Sequence, residues 1–224
     1  IQQTVYMNNI KISGSVNTEL IEYIESHIIP RYDDFDKAHR RDHVGMVIAQ
    51  SLKLAENVED INWDMVYCIA AFHDVGLIDG RERHHVSSGF ILAADKFVNK
   101  YFSAEQIKVM KDAVEDHRAS GKARPRSIYG MIVADADRFI DADTIIRRTI
   151  QYGLANYPEL DRNGQYRRAI EHLNEKYGVD GYMRVWLPWG DNAERLKQLQ
   201  CIIENTHELA VAFDRIYEEE IKTF

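Results

Sequence analysis

Residues 62–76 read NWDMVYCIAAFHDVG, a stretch that predicts both the local fold and its polar end. Asn62 is a residue type that commonly caps the N-terminus of a helix, and Gly76 is one that commonly follows the C-terminus. Between them, apolar residues recur at intervals of three and four, which is the period of an amphipathic α-helix. The stretch therefore predicts a helix over 62–72 that ends at a His-Asp pair.

The same helical period continues through most of the chain. Further amphipathic helices are predicted to begin near residues 44, 85, 103, 127 and 192. The alternation of apolar and polar residues that is typical of strands occurs only weakly, at 183–187. We therefore predict an all-α fold, a helical bundle with an additional C-terminal helical region, and a single domain over residues 1–224.

Composition excludes several classes of protein. The 224 residues include 36 acidic and 28 basic side chains, and this net charge of −8 argues against a nucleic acid polymer as partner. Two cysteines are too few for a disulfide framework or a four-thiolate zinc site. The longest apolar run, 66–72, is far shorter than the roughly 20 residues of a membrane helix, and no basic-then-apolar signal segment opens the chain. We expect a cytoplasmic monomer or homodimer with no membrane partner.

The chemistry-bearing residues are histidines and aspartates on predicted helices. His73 lies four residues after Ile69, on the buried face, where a lone histidine is more often a hydrogen-bonded core residue than a ligand. The adjacent Asp74 argues against that ordinary interpretation, because a buried carboxylate needs a compensating partner. Asp135 likewise lies within the apolar stripe of its helix, whereas Asp137, rotated by about 200°, is predicted to face outward or meet a neighbour.

Two more helices carry such groups. His117 continues the apolar stripe of the fourth helix, and His43 directly precedes the inward Val44 of the first. Four helices thus direct groups of the ligand type toward one interior, which suggests a metal site inside a helical bundle. Mixed imidazole and carboxylate ligands suit Mn, Fe, Co, Ni or Zn better than Ca, and Mg remains possible.

The ordered set of His43, then His73 and Asp74, then Asp135 resembles the HD-domain superfamily of metal-dependent phosphohydrolases. The sequences AAFHDVG around the doublet and VADADR around Asp135 carry the resemblance most strongly. It covers about residues 35–145, which leaves a C-terminal helical extension at about 146–224. The resemblance implies an HD-type helical bundle in which Asp74 and His73 take part in catalysis.

Two further histidines resemble the branch of that family that holds two metal ions and cleaves dinucleoside polyphosphates. These are His85, in the pattern His85-x-x-x-Gly89, and His117, in the sequence EDHR. The resemblance implies one ion bound by His43, His73, Asp74 and Asp135, and a second ion bound by Asp74, His85 and His117. His84 stays open as an alternative to His85, because the helical period does not separate them. His39 is predicted to be a neighbour of the ligands or a surface residue.

A basic stretch follows the fourth helix. Residues 117–126 read HRASGKARPR and contain four basic side chains and no acidic one. Such runs are usually solvated loops, but this one lies between two proposed ligand-bearing helices. We therefore expect contacts with substrate phosphate from Arg118, Lys122, Arg124 or Arg126.

Together these features predict a phosphohydrolase that uses one or two divalent ions to activate water. Its predicted substrate is a small phosphorylated metabolite, namely a nucleotide or dinucleotide. Two alternatives remain. One is an HD-type di-iron oxygenase, and the other is a non-catalytic nucleotide-binding regulatory module.

Overall fold

A computed structural model describes residues 16–35, 41–118 and 123–222, and this part of the chain is all-α, with eleven α-helices and no strand. The predicted fold class is therefore confirmed. Two 3₁₀ helices lie at Ile29–Asp34 and Val75–Asp79. The helices α1 to α11 are, in order, Thr18–His27, Arg41–Ala55, Trp63–Phe72, His84–Ala94, Lys96–Tyr101, Ala104–Asp116, Ile128–Asp137, Ala142–Asn156, Arg162–Tyr177, Asp191–Glu204 and Thr206–Glu220.

Polar caps define where the helices begin. The Asn62 carboxamide accepts the N–H of Met65 at 3.1 Å and starts α3 as predicted. Ser103 forms a capping box with Gln106 at the predicted start of α6, and the Ser127 hydroxyl caps α7. Since each cap satisfies backbone N–H groups that have no partner within the helix, it fixes the residue at which the helix starts.

The helices that were predicted to begin near residues 85 and 192 each end at a cap that starts a further helix, and the weak strand-like pattern at 183–187 forms no strand. Asp95 has an extended backbone, and its carboxylate accepts N–H groups of the next turn, so α4 ends and α5 begins there. Asn205 separates α10 from α11 in the same way. Residues 183–187 belong to neither a helix nor a strand.

The chain divides into two compact units, Ile1–Arg138 and Phe139–Phe224. In the first, α3 lies against helices α1, α2, α4, α6 and α7. Every residue of 65–72 is buried, which explains its nearly uniform apolar composition. The C-terminus of α3 therefore ends inside this unit and carries the His-Asp pair into its interior.

The second unit consists of α8 to α11 around an apolar core. That core contains Ile146, Ile150, Leu199 and Phe213, each no more than 1 % exposed. The predicted organisation, a single domain over 1–224 with a core at about 35–145 and an extension at about 146–224, stays a prediction. In the described part of the chain, no helix combines the length and apolarity that crossing a bilayer requires.

Candidate metal centre

The centre begins at the C-terminal end of α3. His73 is fully buried, and its Nδ1 lies 2.7 Å from the carbonyl oxygen of Ala70. A carbonyl can only accept, so Nδ1 carries the hydrogen and Nε2 presents a lone pair. Metal-binding histidines in proteins commonly have their second nitrogen held in this way.

Two more histidines repeat this arrangement. Nδ1 of His117 lies 2.6 Å from the carbonyl oxygen of Val114, and Nδ1 of His84 lies 2.8 Å from that of Arg81. In all three cases the acceptor is three residues earlier in the chain. Each ring is therefore fixed by its own backbone, and each Nε2 is directed toward the same carboxylate.

That carboxylate belongs to Asp74, which is 3 % exposed. Its Oδ2 lies 3.3 Å from Nε2 of His73 and 3.7 Å from Nε2 of His43. Its Oδ1 lies 3.3 Å from Nε2 of His84 and 3.4 Å from Nε2 of His117. The two oxygens of a single side chain thus face two different pairs of imidazoles.

Within each pair the two Nε2 atoms also face one another. They are 3.3 Å apart in His43 and His73, and 3.2 Å apart in His84 and His117. Two lone pairs at this distance repel unless a proton or a cation lies between them. Among the described residues, two groups of ligand atoms lie close enough to hold a metal ion, namely His43 with His73 and Asp74, and Asp74 with His84 and His117.

Residues 40–141 match the family model described as HD domain. This part of the chain is similar to HD domains. HD domains bind divalent metal ions, and their superfamily is one of metal-dependent hydrolases. No curated protein and no solved structure matches the chain.

In α7 the structure places Asp137, which was predicted to face outward or meet a neighbour, beside two histidines of the cluster. Oδ1 of Asp137 lies 3.1 Å from Nε2 of His43 and 3.7 Å from Nε2 of His73. The Asp135 carboxylate accepts from the Arg138 guanidinium at 2.7 Å. Asp135 is buried, as predicted, and neither Asp135 nor Asp137 is among the two groups of ligand atoms given above. Asp137 is the last residue of α7, and that position at a helix end is the signal that sequence reasoning missed.

At the start of α4, His84 and not His85 lies in the cluster of histidines around Asp74. Adjacent residues on a helix point about 100° apart, so only one of the two can face Asp74. His85 lies outside both groups of ligand atoms. Burial, followed by the positive charge of Arg118, lowers the pKa of His85 to about 4. His84, which the helical period left open as an alternative to His85, is therefore the histidine found in the cluster around Asp74.

Opposite charges in the cluster shift one another's pKa values. Burial lowers the pKa of His43, but Asp137 and Asp74 outweigh it and raise this pKa to about 9. For His117 too, burial opposes ionisation but Asp74 raises the pKa. Burial raises the pKa of Asp74, yet the charge and hydrogen bonds of the surrounding histidines hold it well below its usual range. The carboxylates of the cluster therefore favour positive charge at the neighbouring Nε2 atoms.

The predicted phosphate-binding residues have different environments. Arg118 donates to the carbonyl oxygen of Glu82 at 2.6 Å, and its charge lowers the pKa of His84 after the larger effect of burial. Arg124 is exposed, and Lys122 lies outside the described residues, as does His39. Arg126 forms ion pairs with three carboxylates near the end of α6, those of Asp112, Glu115 and Asp116.

Proposed function

We propose that this protein is a phosphohydrolase that uses two divalent metal ions and acts on a small phosphorylated metabolite, namely a nucleotide or dinucleotide. One observation carries the proposal, which is the position of the Asp74 carboxylate between two pairs of histidine Nε2 atoms. A carboxylate can bridge two cations because it has two oxygens, whereas an imidazole offers each ion a single nitrogen. The HD family of the chain supports the same chemistry.

The donor set fits transition metal ions. Nε2 of His43 and of His73, with one oxygen each from Asp137 and Asp74, would hold the first ion. Nε2 of His84 and of His117, with the other oxygen of Asp74, would hold the second. Neutral imidazoles and carboxylates are suitable ligands for Mn, Fe, Co, Ni or Zn. Bound ions of this kind lower the pKa of water to near neutrality and offset the charge that develops on a phosphoryl group.

The residues of the centre also suit an anionic substrate. Two carboxylates, Asp74 and Asp137, offset only half of the charge of two divalent ions, so the loaded centre stays cationic. Neutral histidines complete the ligand set without adding negative charge. A phosphate group is therefore attracted to this interior although the whole chain is acidic.

Arg118 is the residue that we propose to orient the substrate phosphate. It directly follows His117, and its guanidinium is close enough to His84 and His85 to lower the pKa of both. A planar guanidinium can bind two phosphate oxygens at once. Since three carboxylates already surround Arg126, we assign that residue to holding the segment before α7. Lys122 and Arg124 stay proposals for additional phosphate contacts.

The test begins with removal of bound metal by a chelator and reconstitution with Mn²⁺, Co²⁺ or Zn²⁺ under nitrogen. A panel of nucleotides, dinucleoside polyphosphates and sugar phosphates is then assayed for phosphate or pyrophosphate release. Asp74→Asn should lower the rate by about 10³-fold or more, because removing the bridge forfeits several kcal/mol of charge stabilisation. Asp143→Asn, at a carboxylate of α8 that pairs with Arg215, is the matched control and should retain the full rate.

Three outcomes would contradict the proposal. Equal activity in Asp74→Asn and the unmodified protein would show that the metal centre takes no part in the reaction. Oxygen uptake that requires iron would favour the di-iron oxygenase. Tight nucleotide binding without turnover by any of the ions would favour a regulatory module.

A further inference from the structure

Tyr32 contacts the His-Asp pair from outside the region that matches the HD domain. It lies in the 3₁₀ helix Ile29–Asp34 and is fully buried. Its hydroxyl donates to the carbonyl oxygen of Ala71 at 2.9 Å and accepts the backbone N–H of Asp74 at 3.3 Å. Its ring centroid lies 6.3 Å from that of His73.

The hydroxyl completes the end of α3. The last carbonyls of a helix have no donor from a following turn, and Ala71 belongs to that last turn. If the helix continued, the N–H of Asp74 would donate to the carbonyl of Ala70. That carbonyl accepts from Nδ1 of His73 instead. The Tyr32 hydroxyl thus accepts from the N–H of Asp74 and donates to the carbonyl of Ala71.

This arrangement also sets the direction of the Asp74 side chain. His73 still has helical backbone angles, with φ −54° and ψ −37°. Asp74 departs from them, with φ −113° and ψ 4°. The chain therefore leaves the helix at the residue whose N–H the Tyr32 hydroxyl holds. From this turned position the Asp74 carboxylate faces both pairs of histidines.

We propose that Tyr32 is a positioning residue, whose hydroxyl holds Asp74 where its carboxylate can bridge two metal ions. This inference rests on the proposed two-metal centre. Loss of the hydroxyl leaves a buried N–H without that acceptor, so the backbone at Asp74 shifts to find another partner. The ion at His84 and His117 has only two ligands besides Asp74, whereas the other ion has His43, His73 and Asp137. The ion at His84 and His117 should therefore be lost first.

The experiment compares Tyr32→Phe with Tyr67→Phe. Tyr67 is a matched control, because it is also fully buried and its hydroxyl bonds to Glu25 at 3.3 Å, away from the metal centre. Each chelator-treated protein is titrated with Co²⁺ alone, and the visible absorption of bound Co²⁺ gives stoichiometry and affinity. The unmodified protein and Tyr67→Phe should bind two ions. Tyr32→Phe should bind the second ion about 10- to 100-fold more weakly, as is usual when a partner of a ligand is removed.

The outcomes separate this inference from the proposed function. Unchanged affinity of both ions in Tyr32→Phe would overturn the role of Tyr32 and leave the metal centre standing. Failure of the unmodified protein to bind Co²⁺ would overturn both. An equal loss in Tyr32→Phe and Tyr67→Phe would show a general effect of removing a buried hydroxyl and would also overturn the inference.

A second measurement covers the case in which Tyr32→Phe does not fold. In the unmodified protein the Asp74 amide should be protected from hydrogen exchange, because its N–H donates to a buried hydroxyl. Rapid exchange of that amide in the folded protein would contradict the proposed role.

Discussion

Each unit of the chain buries a polar cluster, and the two clusters differ. In Phe139–Phe224, the buried Thr149 donates to the carbonyl of Ile145, and Glu220 accepts from Gln151 and pairs with Arg147. Donors there meet acceptors. In Ile1–Arg138, the Nε2 atoms of four imidazoles converge on the carboxylate of Asp74. In three of these rings, those of His73, His84 and His117, a backbone carbonyl holds Nδ1, so a neutral ring directs an acceptor at an acceptor.

This difference shows which buried polar groups point to function. A group that is satisfied by its neighbours adds to specificity or stability and needs nothing further. A set of neutral acceptors directed at one another needs a proton or a cation between them. The contrast between the two clusters therefore favours a metal site at Asp74 independently of the family match.

The largest expected effect distinguishes the two aspartates of α7. Asp137→Ala removes a carboxylate oxygen that lies 3.1 Å from Nε2 of His43, so the ion at His43 and His73 loses a ligand. We expect metal-dependent phosphate release to fall by about 10³-fold while the fold is kept. Asp135→Ala instead removes the carboxylate that pairs with the buried guanidinium of Arg138. It should lower the free energy of unfolding by about 3–5 kcal/mol and leave two ions bound to the folded protein.

Thermal unfolding and metal analysis of both variants measure this contrast. If Asp135→Ala lost a bound ion at full stability, Asp135 would be the ligand that the sequence alone indicated. The assignment of Asp137 would then be wrong.

A smaller effect is expected from pH. In the metal-free protein the pKa of His43 is raised to about 9, so at neutral pH this histidine holds a proton that a metal ion must displace. The apparent affinity for Mn²⁺ should therefore rise as pH rises toward 9, by about tenfold per pH unit for each displaced proton. Titrations at pH 6, 7 and 8, followed by the resonance signal of free Mn²⁺, measure the slope. An affinity that does not change over this interval would show that the histidines hold no proton for the ion to displace.

The smallest expected effect on the metal centre comes from the second unit. Phe213→Ala truncates a core residue that is 1 % exposed and should lower the free energy of unfolding by about 3–5 kcal/mol. Metal affinity of the folded protein should stay within about twofold, since the ligands all belong to the first unit. Loss of a bound ion in folded Phe213→Ala would contradict the expectation that metal binding depends on the first unit alone.

The sequence predicts much of the fold because its signals are local. The caps at Asn62, Ser103 and Ser127 and the spacing of apolar residues place helix starts closely. The helix breaks at Asp95 and Asn205 are not predicted, because each lies within a continuous apolar period. Asp and Asn are residue types that commonly cap helices, so the identity of these two residues indicates breaks that the apolar period hides.

The candidate site was harder to predict, because the residues that could hold a metal ion lie at helix ends. His73 and His117 are C-caps, His84 is the first residue of α4, and Asp137 is the last of α7. Reasoning from the apolar stripe favours mid-helix positions, and it selected Asp135, which is buried against Arg138. Which side of a helix end faces a neighbour depends on tertiary packing, which one sequence does not specify.

Whether the Asp74 carboxylate lies between two metal ions can be seen directly by anomalous diffraction from crystals grown with Mn²⁺. We expect two peaks, one on each side of Asp74, with one near His43, His73 and Asp137 and the other near His84 and His117. A single peak that does not contact Asp74, a peak at Asp135, or no peak at all would show that Asp74 does not bridge two ions.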